Sequence, residues 1–275
     1  MIDLRSDTIT KPCDKMLKAM INATVGDDVY GEDPTVLELE QTIAKYFGME
    51  KAMFFPSGTM ANQTAIKLHT NPGDQVITHK HSHVYNYEGG GASFNSGVSF
   101  KLLEGEKGFF DSDQIIQAIN PKNFYHSPMT KLVSLENTTN KGGGYCWDIS
   151  EFEKIQKVCK ENDLGLHMDG ARIWNSIIAM NNNPKIYGNF FDTISVCLSK
   201  GLGCPIGSVL VGKGRLMEKA IRIRKILGGG MRQVGYLAAA GLYALQNNIN
   251  RLSDDHRRAK EIAKKVNEDF DQKKL

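Results

Sequence analysis

The chain has 275 residues, of which 41% are hydrophobic and 24% charged, so it is long enough to bury a substantial core. Its formal net charge of +3 is spread along the chain, which argues against a nucleic-acid partner. The N-terminus turns polar at its third residue, no apolar run approaches membrane-spanning length, and the five cysteines include no Cys-x-x-Cys pair. We therefore expect a cytoplasmic protein with one large domain and no disulfide framework or membrane partner.

Hydrophobic periodicity and turn residues divide the chain into alternating helices and strands. N-caps are predicted at Asp33, Asp111 and Ser150, the last two as capping boxes with a Gln or Glu three positions on. In chain order, we predict an extended arm over 3–10, helices over 14–23 and 34–47, a strand over 52–55, a helix ending at 68, and strands over 75–78 and 98–103. These are followed by a helix over 111–119, a strand over 131–135, a helix over 150–161 and a strand over 164–169. The last predicted elements are strands over 192–198 and 205–212 and helices over 217–225, 234–246 and 252–266. This alternation predicts an α/β fold with a mostly parallel central sheet flanked by helices.

The stretch Asp192–Gly203 is an apolar run that ends in a serine, Lys200 and a glycine turn. A strand buried on both faces delivers the residues that follow it to a sheet edge, where α/β proteins hold their ligands. Partial desolvation at such an edge favours the neutral amine of a lysine, which is a nucleophile and forms Schiff bases. The alternative is a solvated lysine in a turn.

Ser57, Gly58 and Thr59 lie between a predicted strand and a predicted helix. Unpaired N–H groups and hydroxyls at a helix start bind phosphate or carboxylate, although Ser and Thr there also serve as simple caps. Further along, His83 follows a histidine-rich turn that resembles the start of a metallo-hydrolase motif, but the aspartate and final histidine of that motif are missing. We expect no metal, and interpret His83 as a flat ring offered to an aromatic ligand.

Asp169 closes another predicted strand, with Arg172 just beyond the turn. On its own, Asp169 is equally well explained as a helix N-cap. Together with the anion-binding turn, the ring of His83 and Lys200, it completes the set that pyridoxal 5'-phosphate requires: a phosphate cradle, a stacking ring, an acid for the pyridine nitrogen and a lysine for the aldehyde. The joint occurrence therefore predicts a pyridoxal phosphate site.

Seven blocks also make the sequence resemble a known family. They are Met1–Thr8, Val25–Thr35, Pro56–Asn62, Leu135–Thr138, His167–Arg172, Cys197–Gly203 and Gly228–Gln233. In this order they closely resemble the low-specificity L-threonine aldolases, of the β-eliminating lyase group and the aspartate-aminotransferase-like fold. The resemblance implies retro-aldol cleavage of L-threonine or L-allo-threonine to glycine and acetaldehyde.

The resemblance also implies roles for single residues. For the cofactor these are a Schiff base at Lys200, a partner of the pyridine nitrogen at Asp169, a stacked ring at His83, a phosphate site at Ser57, Gly58 and Thr59, and a contact to the phenolic oxygen at Arg172. For substrate and subunit contacts they are carboxylate binding at Ser6 with Tyr30 and Arg172, a histidine near the hydroxyl at His126, and contacts to a neighbouring subunit at Arg232 and Lys225. Either His83 or His126 is the implied base, directly or through a water. The resemblance therefore implies a homo-oligomer, either a dimer or a tetramer, whose subunits share active sites.

Two features depart from the family pattern. Thr139 stands where the family commonly has histidine, and the sequence ends at Leu275, whereas the family continues into a small C-terminal domain that supplies an arginine for the substrate carboxylate. We expect residues 1–250, with the arm 1–24, to form the cofactor-binding domain and residues 251–275 to begin a truncated C-terminal domain. Loss of the arginine contact would weaken substrate binding by about 2–5 kcal/mol. A lyase or racemase acting on another amino acid, or an inactive cofactor-binding homologue, remain alternatives.

Overall fold

The computed structural model describes residues 3–272. The strands are β1 (Lys51–Phe55), β2 (Gln75–His79), β3 (Ser99–Leu103), β4 (Thr130–Glu136), β5 (Gly165–Gly170), β6 (Thr193–Cys197) and β7 (Ser208–Gly212). The α-helices are α1 (Asp14–Ile21), α2 (Pro34–Phe47), α3 (Gly58–His69), α4 (His83–Asn86), α5 (Gly91–Ser96), α6 (Ser112–Ala118), α7 (Ile149–Asn162), α8 (Ile173–Met180), α9 (Lys185–Phe190), α10 (Gly214–Ile226), α11 (Gly235–Asn247) and α12 (Leu252–Gln272). Short 3₁₀ turns cover Asp7–Ile9, Asp28–Tyr30 and Glu106–Gly108.

The strands form one sheet in the order β1-β7-β6-β5-β4-β2-β3. Strands β3, β2, β4, β5 and β6 run parallel, while β7 is antiparallel to both of its neighbours, β1 and β6. The prediction of a mostly parallel α/β sheet is thus confirmed. In this register Glu136, Asp169 and Ser195 lie side by side on β4, β5 and β6. The carboxyl ends of the parallel strands therefore present their side chains to one crevice.

Helices cover both faces of the sheet because successive strand residues point to opposite sides. On β1, Phe54 packs into the larger core with α2, α7 and α11, while Met53 and Phe55 pack into a smaller cluster against α3 and α10. Strands β2, β6 and β7 are buried along their whole length, as expected of strands covered on both faces. No helix among residues 3–272 has the length and apolar composition needed to cross a membrane.

Local signals placed most elements within three residues of their observed ends. Helix α2 has its predicted cap, since Asp33 accepts the N–H groups of Thr35 and Val36, and it ends at Gly48, whose φ of 63° is left-handed. The capping box at Asp111 is also confirmed.

Three predictions about elements were wrong. The cap of α7 is Asp148 rather than Ser150, because the Asp148 carboxylate accepts the Ser150 N–H. The short helices α4, α5 and α9 and the helix α8 were not predicted. The arm and the glycine-rich loop after residue 26 each contain a 3₁₀ turn where no helix was expected. The proposed domain boundary at residue 250 stays a prediction, and α12 runs on from Leu252 to Gln272.

Candidate active site

A cavity of about 370 Å³ lies at the carboxyl ends of β4, β5 and β6. Eight of the predicted site residues line it: Ser6, Ser57, Gly58, Thr59, His83, Asp169, Arg172 and Lys200. They come from the N-terminal arm, the start of α3, the start of α4 and the ends of two strands. The fold thus brings residues nearly two hundred positions apart into one crevice.

The start of α3 forms an anion-binding cradle at one side of the cavity. Ser57 is the N-cap, and its hydroxyl accepts the backbone N–H of Met60 at 3.1 Å. Within residues 3–272, the N–H groups of Gly58 and Thr59 have no hydrogen-bond partner. A Cβ added to Gly58 would meet no atom within 4 Å, so this helix start opens onto free space. Two free N–H groups, a hydroxyl and the positive end of the helix dipole suit a phosphate.

Lys200 reaches the cavity from the turn that follows β6. This turn is closed by a hydrogen bond from Gly203 N–H to the carbonyl of Lys200 at 2.8 Å, and it requires a glycine because φ at Gly203 is 80°. The Lys200 Nζ donates to the Cys197 Sγ at 3.2 Å. The Lys200 side chain is half-buried. Because the sulfur of Cys197 is a weak acceptor, a stronger hydrogen-bond partner can replace it.

Asp169 is 3% exposed at the end of β5. Its Oδ1 accepts the Ala171 N–H at 3.1 Å, and its Oδ2 accepts the Asn62 side-chain amide at 3.0 Å. The N-cap of α8 is Arg172, so Asp169 is not the helix cap that the sequence left open. A buried carboxylate with two donors is poised to accept a further proton donor from a ligand.

His83 opens α4 at the rim of the cavity. Its Nδ1 lies 3.0 Å from Oε1 of the buried Glu88, and its backbone N–H donates to Oε2 of Glu136 at 3.0 Å. The hydrogen bond with Glu88 raises the pKa of His83, helped by the charges of Asp169 and Glu136 and opposed by burial. Because Glu88 accepts at Nδ1, Nε2 is the ring nitrogen that is left for a ligand.

Glu136 was not among the predicted site residues. Its two oxygens accept backbone N–H groups from His83 and Asn140, which ties α4 to the loop after β4. Burial, together with the neighbouring charge of Asp169, raises the pKa of Glu136 to about 7. The cavity therefore contains a carboxyl group that titrates near neutral pH.

The N-terminal arm closes the cavity from the opposite side. Arg172 forms a bidentate pair with Asp7, with Nε to Oδ2 at 2.9 Å and Nη2 to Oδ1 at 2.7 Å. The Ser6 hydroxyl accepts the Thr8 N–H at 3.2 Å and caps the 3₁₀ turn of the arm. The arm, predicted as either a solvated tail or a segment laid into a site, contributes Ser6 and Thr8 to the cavity.

Four predicted residues do not line the cavity: His126, Tyr30, Arg232 and Lys225. His126 is exposed on the loop before β4, with its ring 4.0 Å from that of Tyr125 between centroids. Tyr30 is 73% exposed. Arg232 donates to Asp27 at 2.8 Å and lies 5.8 Å from the Tyr30 ring. Lys225 is exposed near the end of α10. Their assignment to substrate or to a neighbouring subunit stays a prediction.

The structure adds three polar residues that sequence reasoning missed, namely Asn62, Glu88 and Glu136. Asn62 and Glu136 fall inside the family-like blocks, and Glu88 follows His83 by five positions, so their letters were visible. Their partners were not, since the bonds from Asn62 to Glu88 and to Asp169 span 26 and 107 positions. The side chains of His83, Glu88 and Asp169 place three metal-ligand atoms within 4.8 Å of one another. The three residues already use their side-chain atoms in hydrogen bonds, from Asn62 to Glu88 and Asp169 and between His83 and Glu88.

Comparison with known proteins assigns the chain to a family. The model of the family described as "Beta-eliminating lyase" matches residues 3–269, nearly the whole chain. The chain belongs to the β-eliminating lyase family. It is an enzyme of the lyase class, as the sequence blocks predicted.

Named relatives within the family share most of the chain. A probable low-specificity L-threonine aldolase 2 of Arabidopsis thaliana is 45% identical over 269 residues, which cover 97% of this chain and 76% of the relative. A low specificity L-threonine aldolase of Escherichia coli (strain K12) is 44% identical over 269 residues, covering 98% of this chain and 80% of the relative.

Solved structures support the fold assignment. A putative L-allo-threonine aldolase from Listeria monocytogenes superposes with a TM-score of 0.80 at 24% identity, covering 98% of this chain and 72% of that one. A threonine aldolase of Leishmania major gives 0.83 at 22% identity, with coverages of 94% and 77%. Both superpositions therefore show that this chain has the same overall fold as these two proteins.

Proposed function

We propose that this chain cleaves L-threonine and L-allo-threonine into glycine and acetaldehyde with pyridoxal 5'-phosphate as its cofactor. The observation that carries the proposal is the convergence of Lys200, Asp169 and the start of α3 on one cavity. The relatives at 44–45% identity, named as threonine aldolases, support the choice of substrate.

The donors of the cavity match the groups of this cofactor one by one. The free N–H groups of Gly58 and Thr59, with the Thr59 hydroxyl, suit its phosphate, and the Asp169 carboxylate suits a protonated ring nitrogen. Lys200 supplies the amine for its aldehyde. When bound, pyridoxal phosphate supplies an aldehyde that captures amino groups and a ring that accepts the electrons released at the α-carbon.

The chain's own residues would then divide the work. Asp169 holds a proton on the ring nitrogen, which keeps the ring electron-poor. Lys200 would hold the cofactor through its Nζ and would supply an amine in the cavity when the substrate is bound. Arg172 and the Ser6 hydroxyl would bind the substrate carboxylate and so orient the amino acid in the cavity.

The β-hydroxyl proton must be removed as the carbon–carbon bond breaks. His83 is our candidate for this in the same chain, because its Nδ1 is engaged by Glu88 and its Nε2 can hold the proton. His126 is the other candidate, and it could act only after a movement of its loop or from a neighbouring subunit. We extend the proposal to a homodimer or homotetramer in which Arg232, Lys225 and Tyr30 complete a neighbour's site. A role in threonine breakdown and glycine formation would follow, and the cytoplasmic location stays a prediction.

Absorbance and product formation test the proposal. We expect the purified chain to bind pyridoxal phosphate with a visible absorption band and to release acetaldehyde from L-threonine or L-allo-threonine. Lys200→Ala should abolish the band, and Asp169→Ala should retain it while losing cleavage by about a thousandfold or more. Lys213→Ala, which changes another lysine that directly follows a strand, is the matched control and should behave as the parent.

The same assay separates the alternatives. Cleavage of serine or of aromatic β-hydroxy amino acids but not of threonine would point to a related lyase, and racemisation without cleavage to a racemase. A chain that binds the cofactor and turns over none of these amino acids would contradict the proposed activity.

A further inference from the structure

The buried side-chain amide of Asn62 donates hydrogen bonds to the carboxylates of Glu88 and Asp169. Asn62, which is 2% exposed on α3, places its Nδ2 at 2.9 Å from Glu88 Oε1 and at 3.0 Å from Asp169 Oδ2. An ionised carboxylate only accepts hydrogen bonds, so both hydrogens of this amide must point at the two acids. The Asn62 Oδ1 is then turned the other way, towards the middle of the sheet.

His167 on β5 fixes that orientation. Its Nε2 lies 3.2 Å from the Asn62 Oδ1, which can only accept, so Nε2 must carry the hydrogen. Complete burial lowers the pKa of His167 to about 3, and the ring is neutral at neutral pH. Its bare Nδ1 therefore accepts the Thr193 hydroxyl at 2.9 Å, and that hydroxyl in turn accepts from Nε2 of His69 at 3.0 Å.

The opposite tautomer can be compared directly. A hydrogen on Nδ1 of His167 would donate to the Thr193 carbonyl at 3.1 Å. It would also leave two lone pairs, on Nε2 and on the Asn62 Oδ1, facing each other at 3.2 Å in the core. Turning Asn62 over to relieve this would aim its oxygen at two carboxylates. The Nε2–H tautomer pairs both the Asn62 Oδ1 and the Thr193 hydroxyl, and the one contact that it leaves without a hydrogen is the one between Nδ1 and the Thr193 carbonyl.

Glu88 connects Asn62 to His83 by hydrogen bonds. Its Oε2 accepts the amide of Gln63 at 2.5 Å, and the orientation of Gln63 is itself set because its Oε1 accepts from Asn95 at 3.3 Å. The Glu88 Oε1, already bound by Asn62, accepts Nδ1–H of His83. Glu88 is thus an acceptor for three donors, which stabilises its ionised form in a buried position.

We propose that Asn62 is a positioning residue whose amide bridges the carboxylates of Asp169 and Glu88. Its orientation is imposed by the Nε2–H tautomer of His167. Through Glu88 it also determines which nitrogen of His83 is left for a ligand. Hydrogen bonds thus run in one direction from His69 at the end of α3, through Thr193 on β6 and His167 on β5, back to Asn62 on α3 and on to the two acids of the site.

The bridge matters because two buried carboxylates close together repel each other. The two hydrogens of the Asn62 amide, one directed at each acid, offset this repulsion. The other charged or titratable side chains of the cavity lining are His83, Glu136, Arg172, Cys197 and Lys200, while His167 faces the amide oxygen, and all of these remain when Asn62 is replaced. Asn62→Ala therefore removes one donor from each of the two acids and leaves the charged groups around them in place.

The tautomer can be measured without any cofactor. In the full chain labelled with ¹⁵N-histidine, we expect the His167 ring to stay neutral with its hydrogen on Nε2 from pH 6 to 8. A Thr193→Val variant assigns the signals, because loss of the hydroxyl perturbs His167 at Nδ1 and His69 at Nε2. A His167 ring with its hydrogen on Nδ1, or a charged ring, would overturn the proposal. This result does not depend on whether the chain is an aldolase.

A pair of matched variants tests the consequence for the site, and this arm rests on the proposed function. In Asn62→Ala loaded with pyridoxal phosphate, the pH midpoint of the visible absorbance should rise by about one unit, because a donor to a charged group is lost. The value of kcat should fall about tenfold, with KM changed by less than about threefold. Asn162→Ala makes the same chemical change at the end of α7, away from the cavity lining, and should match the parent.

General destabilisation would lower the active fraction equally at every pH, so it would leave the midpoint unchanged. An Asn62→Ala protein with the parental midpoint would therefore refute the bridging role. If Asn62→Ala does not fold, Glu88→Gln serves instead: it must lower the pKa of His83 while His167 keeps its Nε2–H tautomer, and a changed tautomer would count against the proposal. Failure to bind the cofactor at all would refute the proposed function and leave the tautomer result standing.

Discussion

The single ion pair between Asp7 and Arg172 holds the N-terminal arm over the cavity. Both side chains are mostly covered, at 26% and 20% exposed, so the pair is screened less than a surface salt bridge. The bidentate geometry also directs the guanidinium in a fixed plane. At this scale one carboxylate sets both the position of the arm and the direction of Arg172.

Replacing Asp7 by Asn should release the arm without changing its size. An amide offers one acceptor oxygen where the carboxylate offers two, and it carries no charge. We expect amide hydrogen exchange over residues 6–10 to accelerate by about tenfold, and KM for the amino acid to rise. The exposed Asp14 at the start of α1 provides the control, and Asp14→Asn should leave the exchange of the arm unchanged. Equal exchange in the Asp7 variant and the parent would show that the pair does not hold the arm.

Residue types at strand ends were predictable, and their partners were not. Lys200 and Asp169 could be found because each closes a buried strand, a position that the local pattern reveals. The bridging role of Asn62 could not, because an asparagine on an amphipathic helix has no local feature that distinguishes a solvated amide from a buried one. Its environment is created by β5 and α4, which are distant in sequence.

Among the elements, α2 is anchored by the most connected cap. The buried Asp33 accepts the N–H groups of Thr35 and Val36 in its own helix, of Gly26 in the preceding loop, and of Gly235 at the start of α11. A Cβ at Gly235 would lie 2.3 Å from an Asp33 oxygen, so only glycine permits this approach. The cap therefore joins two helices and a loop.

This connectivity makes Asp33 more costly to remove than an ordinary cap. Asp33→Ala should lower the free energy of unfolding by about 3–4 kcal/mol, since it leaves several buried donors without an acceptor. Asp148→Ala removes the exposed cap of α7 and should have a much smaller effect. Denaturant unfolding of both variants is the measurement, and equal losses would mean that the contacts of Asp33 to the loop and to α11 add nothing.

The local sequence pattern predicted which segments are helices or strands, but it did not predict the direction or the order of the strands in the sheet. The letters of β7 predicted a strand and gave no indication that it would run antiparallel between β1 and β6. Helices α8 and α9 were missed because Ile173–Met180 is apolar on most sides and Lys185–Phe190 is too short for a clear period. The Ser150 cap failed because Asp148 begins the helix two residues earlier, where its carboxylate accepts both the N–H and the hydroxyl of Ser150.

Across the whole molecule, buried histidines and glutamates act on stability in opposite directions. Burial lowers the pKa of His69 to about 4 and of His167 to about 3, so the unfolded chain binds protons that the fold excludes as the pH falls below 6.5. Burial raises the pKa of Glu40 and of Glu136 to about 7, so the fold keeps protons that the unfolded chain loses above pH 4.5. Stability falls on acidification through the first pair and on alkalinisation through the second.

Replacing Glu40 by Gln should therefore stabilise the protein only at higher pH. Glutamine keeps the oxygen that accepts the Phe54 N–H and removes the charge that burial disfavours above pH 7. We expect a gain of about 2 kcal/mol at pH 8 and almost none at pH 4.5, measured by denaturant unfolding at both pH values. Glu38→Gln, an exposed change on the same helix, should show no such difference. A gain for Glu40→Gln that is equal at both pH values would contradict this account.

The place of β7 in the sheet has a consequence for the order in which the protein is made. Strand β1, with its apolar Met53, Phe54 and Phe55, pairs with β7 alone among the strands of the described chain. During synthesis β1 must therefore wait, unpaired, until Gly212 has left the ribosome. The helix start that would hold the phosphate follows directly after β1, so it is encoded early and positioned late. A nascent chain should acquire its anion-binding cradle only after the strands that carry Asp169 and Lys200 have been made.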